Sequence, residues 1–258
     1  MATKKERQRQ LAREAYQRRL DRQVQRARRT RQWWISSVAV LLVIGVGAGA
    51  AFLAGAFTPT KTATAAASTT CAYTKSGTAA RKVSLPPAKP DTKARYTATI
   101  TTNRGTVVIS LLNSKAPCTV NSFVSLADQG FYNNTPCPRL TTASNGFSVL
   151  QCGDPTGTGS GGPGYEFDSE NLKGATYPAG TVAMATDTPT TNGSQFFLVY
   201  ENTPPGSLGA TYTPFGTVTS GLSVLQAIGA KGDDNSNPAG GGKPNESVQI
   251  KSVKITKT

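Results

Sequence analysis

The stretch GDPTGTGSGGPGYEF, Gly153 to Phe167, bears first on the fold, because its centre, GTGSGG from Gly157 to Gly162, fits the G-x-G-x-x-G pattern of a dinucleotide-binding turn. Such a turn needs a strand before it, a helix after it whose N-terminus meets the pyrophosphate, and an acid about 20 residues further on. A strand-like run does precede it. After it come Pro163, Gly164 and Tyr165, poor helix material, and no acid stands near position 182. No Lys-Ser or Lys-Thr ending makes it a P-loop either. The nucleotide reading fails, and the stretch reads as a long surface turn.

Outward from that turn the pattern is one of short strands. YTATITTNRGTVVISLL alternates β-branched and apolar residues around an Asn-Arg-Gly turn and predicts a hairpin from about Arg95. APCTVNSFVSLADQG predicts a helix: Pro117 suits its start, Val120, Phe123, Val124 and Ala127 share one face, and Gly130 closes it. FSVLQCG, GTVAMAT, SQFFLVY, PFGTVT and SVQIKSVKITK read as further strands, with a second short helix in LSVLQAIG. A doubly wound parallel sheet needs a helix between most neighbouring strands, so two helices among many strands predict a mainly β fold, an antiparallel barrel or sandwich.

The formal charge of +14 invites a nucleic-acid reading, but its distribution argues otherwise. Residues 1–32 hold twelve Lys and Arg against Glu6, Glu14 and Asp21, a net of +9, and the rest of the chain carries only +5. From Trp33 to Phe57 there is no charged residue over twenty-five positions, and about 20 apolar residues suffice to cross a bilayer. Residues 33–57 are therefore expected to be a single membrane-spanning helix; the 32-residue leader, long for a signal peptide, argues for an uncleaved anchor, while AGAF at its end leaves processing open. The basic tail, 1–32, then reads as a cytoplasmic topology signal, with Trp33 and Trp34 at the headgroup boundary and everything after Phe57 outside the cell membrane. No nucleic-acid partner is expected. Residues 58–94, rich in Thr, Ala, Ser, Lys and Pro, lack the apolar residues to bury a core and read as a tether, with Cys71 able to tie part of it down.

Cys71, Cys118, Cys137 and Cys152 would lie in an oxidising compartment, where three pairings are open and spacing chooses none. With no C-x-x-C pair and no His in the chain, no metal site is expected.

RLTTASNGFSVLQCGD, VAMATDTPTTNGSQFFLVY and YTPFGTV, together with the glycine turn, resemble the cyclophilin-type peptidyl-prolyl cis-trans isomerases. That family carries Q-x-G-D, G-x-G-x-G-G, M-A-N, N-G-S-Q-F-F and F-G-x-V in this order. The resemblance covers about residues 95–258, with its most specific combination at Gln151 to Asp154 and Asn192 to Phe197. It implies a closed eight-stranded antiparallel barrel capped by two helices, with the glycine turn as a connection beside the active face. It also implies a monomeric catalytic domain acting on proline-containing peptides and unfolded or secreted proteins.

By the same resemblance Arg139 and Gln151 are the candidate catalytic residues, the glutamine holding the arginine or binding substrate backbone. Gln195 is a second backbone-binding glutamine. Val149, Phe197 and Leu208 line the proline pocket, Tyr212 stands at a ring position often held by His, and Ala185 shapes the neighbouring subsite. Without the family, Phe197 in a strand would read as core.

The chain departs from the pattern at several points. Arg139 follows Cys-Pro where the family has Phe-His, so Pro138 removes a backbone donor, and four extra residues separate Arg139 from Gln151. Ser148 replaces a pocket phenylalanine, for which Phe147 is the substitute because it shares parity with Gln151 in an extended strand. Thr186 replaces the asparagine of M-A-N, and Ser207 stands where a Trp or Phe is common, which predicts weak binding of cyclosporin-like ligands.

Rotation about an X-Pro bond must surmount about 18–20 kcal/mol of lost conjugation without breaking a covalent bond. No cofactor, metal or nucleophile is called for, only an apolar slot and donors that favour the twisted amide. The competing reading is a non-catalytic peptide-binding or scaffold domain on the same shell, its turnover weakened by Pro138, Ser148, Thr186 and Ser207.

Overall fold

Twelve strands and two α-helices make up the computed structural model, which describes residues 69–188, 190–204 and 206–258. The strands are β1 (Thr74–Lys75), β2 (Tyr96–Thr102), β3 (Gly105–Leu111), β4 (Thr135–Pro136), β5 (Arg139–Thr141), β6 (Val149–Cys152), β7 (Tyr165–Asp168), β8 (Thr181–Met184), β9 (Thr191–Asn192), β10 (Phe196–Val199), β11 (Pro214–Ser220) and β12 (Gln249–Lys257). Helix α1 is Pro117–Asp128 and α2 is Leu222–Gly229.

Nine strands form one sheet in the order β4-β12-β2-β3-β11-β8-β10-β6-β5, and β1-β7-β9 form a second, small one; every pairing is antiparallel. The expected closed eight-stranded barrel is thus corrected to an open nine-stranded half-barrel with two helices. The reason lies at its edges. β4 and β5 are consecutive in the chain, separated by Cys137 and Pro138, yet β4 pairs with β12 and β5 with β6. Pro138 has no N–H to donate, so the chain changes partner across it and no ladder joins the two edge strands. A disulfide from Cys137 to Cys152 braces that point.

The core follows from period-two alternation. Ala98 and Ile100 of β2 and Val107, Ile109 and Leu111 of β3 point inward against Val120, Phe123, Leu126 and Ala127 of α1. Helix α1 begins at Pro117, and no side chain of its own caps it. The Glu170 carboxylate does so instead, accepting from the backbone N–H of Cys118 at 3.2 Å and of Thr119 at 2.7 Å, which answers both the orphan donors and the positive end of the helix dipole. β8 and β10 are buried along their whole length. Val182, Met184, Phe196 and Leu198 face the main core, whereas Ala183, Phe197 and Val199 face a second apolar cluster on the opposite side. That second cluster builds the candidate site.

Residues 69–94 pack as a strap on α1. Cys71 is bonded to Cys118, and the Tyr73 hydroxyl donates to the Cys118 carbonyl at 2.8 Å. Arg81 donates to the carbonyls of Gly130, Phe131 and Asn133, and Gln129 pairs with both backbone groups of Ser84. A segment too poor in apolar residues to form a core is held here by a covalent bond and by hydrogen bonds to backbone.

The expected membrane helix, residues 33–57, and the basic tail before it lie outside the described residues. Among the described residues no helix is long and apolar enough to cross a membrane. The two helices span 12 and 8 residues, against the roughly 20 that a crossing requires, and their apolar faces are spent on the core. Nothing among the described residues carries the expected membrane-anchored form, the membrane as a partner or the single-pass topology with an extracytoplasmic domain, and these are not carried forward.

Candidate active site

Strand register lines up the site. Arg139 on β5 faces Gln151 on β6, Gln151 faces Phe197 on β10, and Phe197 faces Ala183 on β8. One row across four strands therefore carries a guanidinium, an amide and an aromatic ring on one face, with successive Cα atoms about 4.5–5.5 Å apart. Sequence parity dictates which face: Leu150 and Cys152 belong to the main core, while Val149 belongs to the second cluster.

The polar half of the row is a relay of side chains. Arg139 Nη1 donates to Gln151 Oε1 at 3.4 Å, Gln151 Nε2 donates to Gln195 Oε1 at 2.8 Å, and Gln195 Nε2 donates to the carbonyls of Gly159 and Gly161 at 3.0 and 3.1 Å. The other side of the guanidinium is held by a loop: Nε and Nη2 donate to the Gly240 carbonyl at 3.2 and 3.0 Å, and Nη2 also to that of Ala239 at 3.4 Å. The planar fork is thereby fixed in direction, and its charge is permanent.

The apolar half is the second cluster, in which Val149 and Phe197 are buried, with Phe147, Ala185, Leu208 and Tyr212 partly buried around them. The Tyr212 ring meets the Phe197 ring edge to face at 5.3 Å. Phe147 joins the cluster although it lies in a bend before β6, while Ser148 donates to Glu201 at 2.7 Å. The four extra residues form a 3-10 turn, Ala143–Asn145, closed by Gly146 at a positive φ of 88°. The Thr186 hydroxyl donates to the carbonyls of Thr188 and Thr191 and so staples its own loop.

Tyr177 escapes the sequence reading. Its hydroxyl donates to the Tyr212 carbonyl at 2.8 Å and accepts the Tyr212 N–H at 3.1 Å, and its ring lies 6.2 Å from that of Phe197. Burial pushes its phenol above the ordinary tyrosine value, only partly countered by the bond to the Tyr212 backbone. The one signal for it was an aromatic in an otherwise small and polar loop, ATYPAG.

The glycine turn owes its glycines to geometry. Gly157 and Gly159 have φ of 70° and 81°, and the turn wraps the fully buried carboxylate of Asp154, which accepts from the N–H of Thr156, Thr158 and Gly159 at 2.7, 3.1 and 2.7 Å. Burial pushes the Asp154 pKa up, but hydrogen bonds from the Thr156 side chain and from the backbone of Thr156, Gly161 and Gly159 outweigh it and hold the group below its ordinary value. A depressed carboxylate pKa stabilises the fold above its unfolded value of about 3.9, and that contribution fades as pH falls through the folded value. Asp154→Asn is therefore expected to cost about 1–3 kcal/mol at neutral pH. Thermal melts should show its deficit against wild type constant above about pH 5 and shrinking toward pH 2.

Comparison with known proteins gives the family and the fold. Residues 97–255 match the family described as cyclophilin type peptidyl-prolyl cis-trans isomerase. The chain is 45% identical over 189 residues to the probable peptidyl-prolyl cis-trans isomerase B of Mycobacterium leprae, covering 66% of this chain and 63% of that protein. It is 44% identical over 180 residues to the protein of the same description from Mycobacterium tuberculosis strain H37Rv, covering 64% and 56%. The chain thus spans less than two thirds of either relative. Its structure resembles the crystal structure of a Cryptosporidium parvum cyclophilin type peptidyl-prolyl cis-trans isomerase, with a TM-score of 0.56 and 31% identity, covering 64% of this chain and 99% of that one. A second crystal structure of that protein, obtained in the presence of the dipeptide Ala-Pro, matches with a TM-score of 0.55 and 32% identity.

Proposed function

The chain belongs to the cyclophilin-type peptidyl-prolyl cis-trans isomerase family, and on that premise we propose that it catalyses cis-trans isomerisation of X-Pro bonds in unfolded or flexible polypeptides. The observation that carries the reading is the row Arg139, Gln151, Phe197, which sets a hydrogen-bonded guanidinium on the same sheet face as the apolar cluster around Phe197. The proline ring sits in the recess formed by Phe197, Val149, Phe147, Leu208 and Tyr212, with Ala185 shaping the adjoining subsite. Gln151 and Gln195 engage the peptide backbone. As the amide twists, the prolyl nitrogen leaves conjugation and its lone pair becomes localised, and Arg139 donates a hydrogen bond to the twisted group that the planar ground state accepts poorly. Thr186 shapes the loop at the rim. The catalytic unit is residues 95–258 together with the strap packed on it.

No proton changes hands in this scheme, and the chain contains no His. In a proline-peptide assay wild type is expected to accelerate exchange at a rate that stays flat from about pH 5 to 8, the range in which an unperturbed His would titrate. Peptide binding with no acceleration would favour the non-catalytic module instead, a reading to which the grip of the Ala239 and Gly240 carbonyls on Arg139 lends itself.

A further inference from the structure

The glycine turn is held from two sides. On its inner side, Gly159 and Gly161 offer their carbonyls to Gln195, which in turn accepts from Gln151. On its outer side lies the strap. β1 pairs with β7, Thr74 opposite Glu166 and Lys75 opposite Tyr165. Beyond β1 the Ser76 N–H donates to the Gly164 carbonyl at 3.0 Å and the Ala80 N–H to that of Gly162 at 2.8 Å, with Ala79 bridged in parallel to Gly162. The contact is close: a Cβ added at Gly164 would come within 2.9 Å of the Ala79 Cβ.

This matters because glycines carry no side chain with which to hold their own position and lose more conformational freedom on ordering than any other residue. Asp154 fixes the first part of the turn through Thr156, Thr158 and Gly159. The segment from Gly162 to Gly164 is held by backbone donors of the strap.

We propose that residues 76–80 are a positioning element of the active face. By fixing Gly162 and Gly164 they fix the neighbouring Gly161 carbonyl, hence the direction of the Gln195 amide, and so set the affinity of the site for peptide backbone. The inference rests on the isomerase reading for the role of Gln195. Ser76 and Ala80 act through the turn and not on substrate.

The test uses three variants of the full chain. Ala80→Pro deletes the donor to Gly162 while leaving Ala79 in the extended geometry that a residue before proline prefers. Ala80→Gly is the conservative variant and keeps the N–H. Gln129→Ala loosens the strap at Ser84, away from the turn. KM and kcat are measured for an X-Pro peptide, with Kd for the same peptide by titration and the melting temperature of each variant. Ala80→Pro is expected to raise KM and Kd about fivefold, the weight of one hydrogen bond, with kcat within about twofold of wild type. Ala80→Gly and Gln129→Ala should keep wild-type KM and Kd. Unchanged KM and Kd in Ala80→Pro, or an equal rise in Gln129→Ala, would overturn the proposal. A wild type without isomerase activity would instead sink the isomerase reading, and the Kd values would still decide the positioning role.

Discussion

Arg139→Ala is expected to lower kcat/KM for X-Pro isomerisation about 10²-fold, the loss that follows removal of one preorganised donor, while shifting the melting temperature by no more than about 4 °C. The two effects separate because of where the side chain sits. Arg139 is only half-buried on the edge strand β5, and the carbonyls it leaves behind belong to the loop at Ala239 and Gly240, where water can replace it. Gln151 keeps its bond to Gln195. What disappears is the one positive charge of the row, and water supplies no equivalent there. Arg139→Lys should fare little better, since an ammonium lacks the planar fork that grips Gly240 through two nitrogens while a third reaches Gln151. A wild-type rate in Arg139→Ala would remove the guanidinium from the mechanism.

Which residues share the face of the candidate site was largely readable in the sequence, because side chains alternate along a strand. Once Gln151 is taken as site-facing, Val149 on the same strand must share its face, and Phe147, two residues before β6, joins it in the cluster around Phe197. Burial alone would have misled, because FFLV is apolar throughout and every one of its residues is buried; only alternation separates Phe196, which faces the main core, from Phe197, which faces the second cluster. Tyr177 was illegible for the complementary reason. It lies on no strand or helix, and its role depends on a hydroxyl reaching a backbone 35 residues away.

Sheet closure and the strap were misread for reasons equally specific. The resemblance implied a closed barrel, but a single proline between Thr135–Pro136 and Arg139–Thr141 diverts the pairing to different neighbours on its two sides. The strap's composition spoke correctly against a core of its own, yet stability borrowed from another element leaves no compositional trace. Arg81, Ser84 and Cys71 dock on groups of α1 and its C-terminal turn that are more than 40 residues distant.

Replacing Cys137 and Cys152 together by Ala should cost about 3 kcal/mol, as expected for a bridge closing a loop of about 15 residues. In a domain of this size that corresponds to a fall of about 6–12 °C in melting temperature. The bond joins two buried residues, Cys137 just before Pro138 and Cys152 at the end of β6. β5 is an edge strand of three residues whose ladder partner is β6 alone, supplemented by a bridge from Leu140 to Gly242. Short edge strands open readily, and the ladder gains no donor from Pro138. The bridge therefore keeps Arg139 in register with Gln151. Its loss should lower kcat/KM even at temperatures far below the new midpoint, where the chain is folded. Hydrogen exchange offers the decisive check: the amides of Arg139 and Leu140 should lose protection in the double variant while those of Ile109 and Val182 in the central strands keep theirs. Uniform loss of protection across both sets would mean that the bridge stabilises the fold as a whole and has no particular hold on the guanidinium.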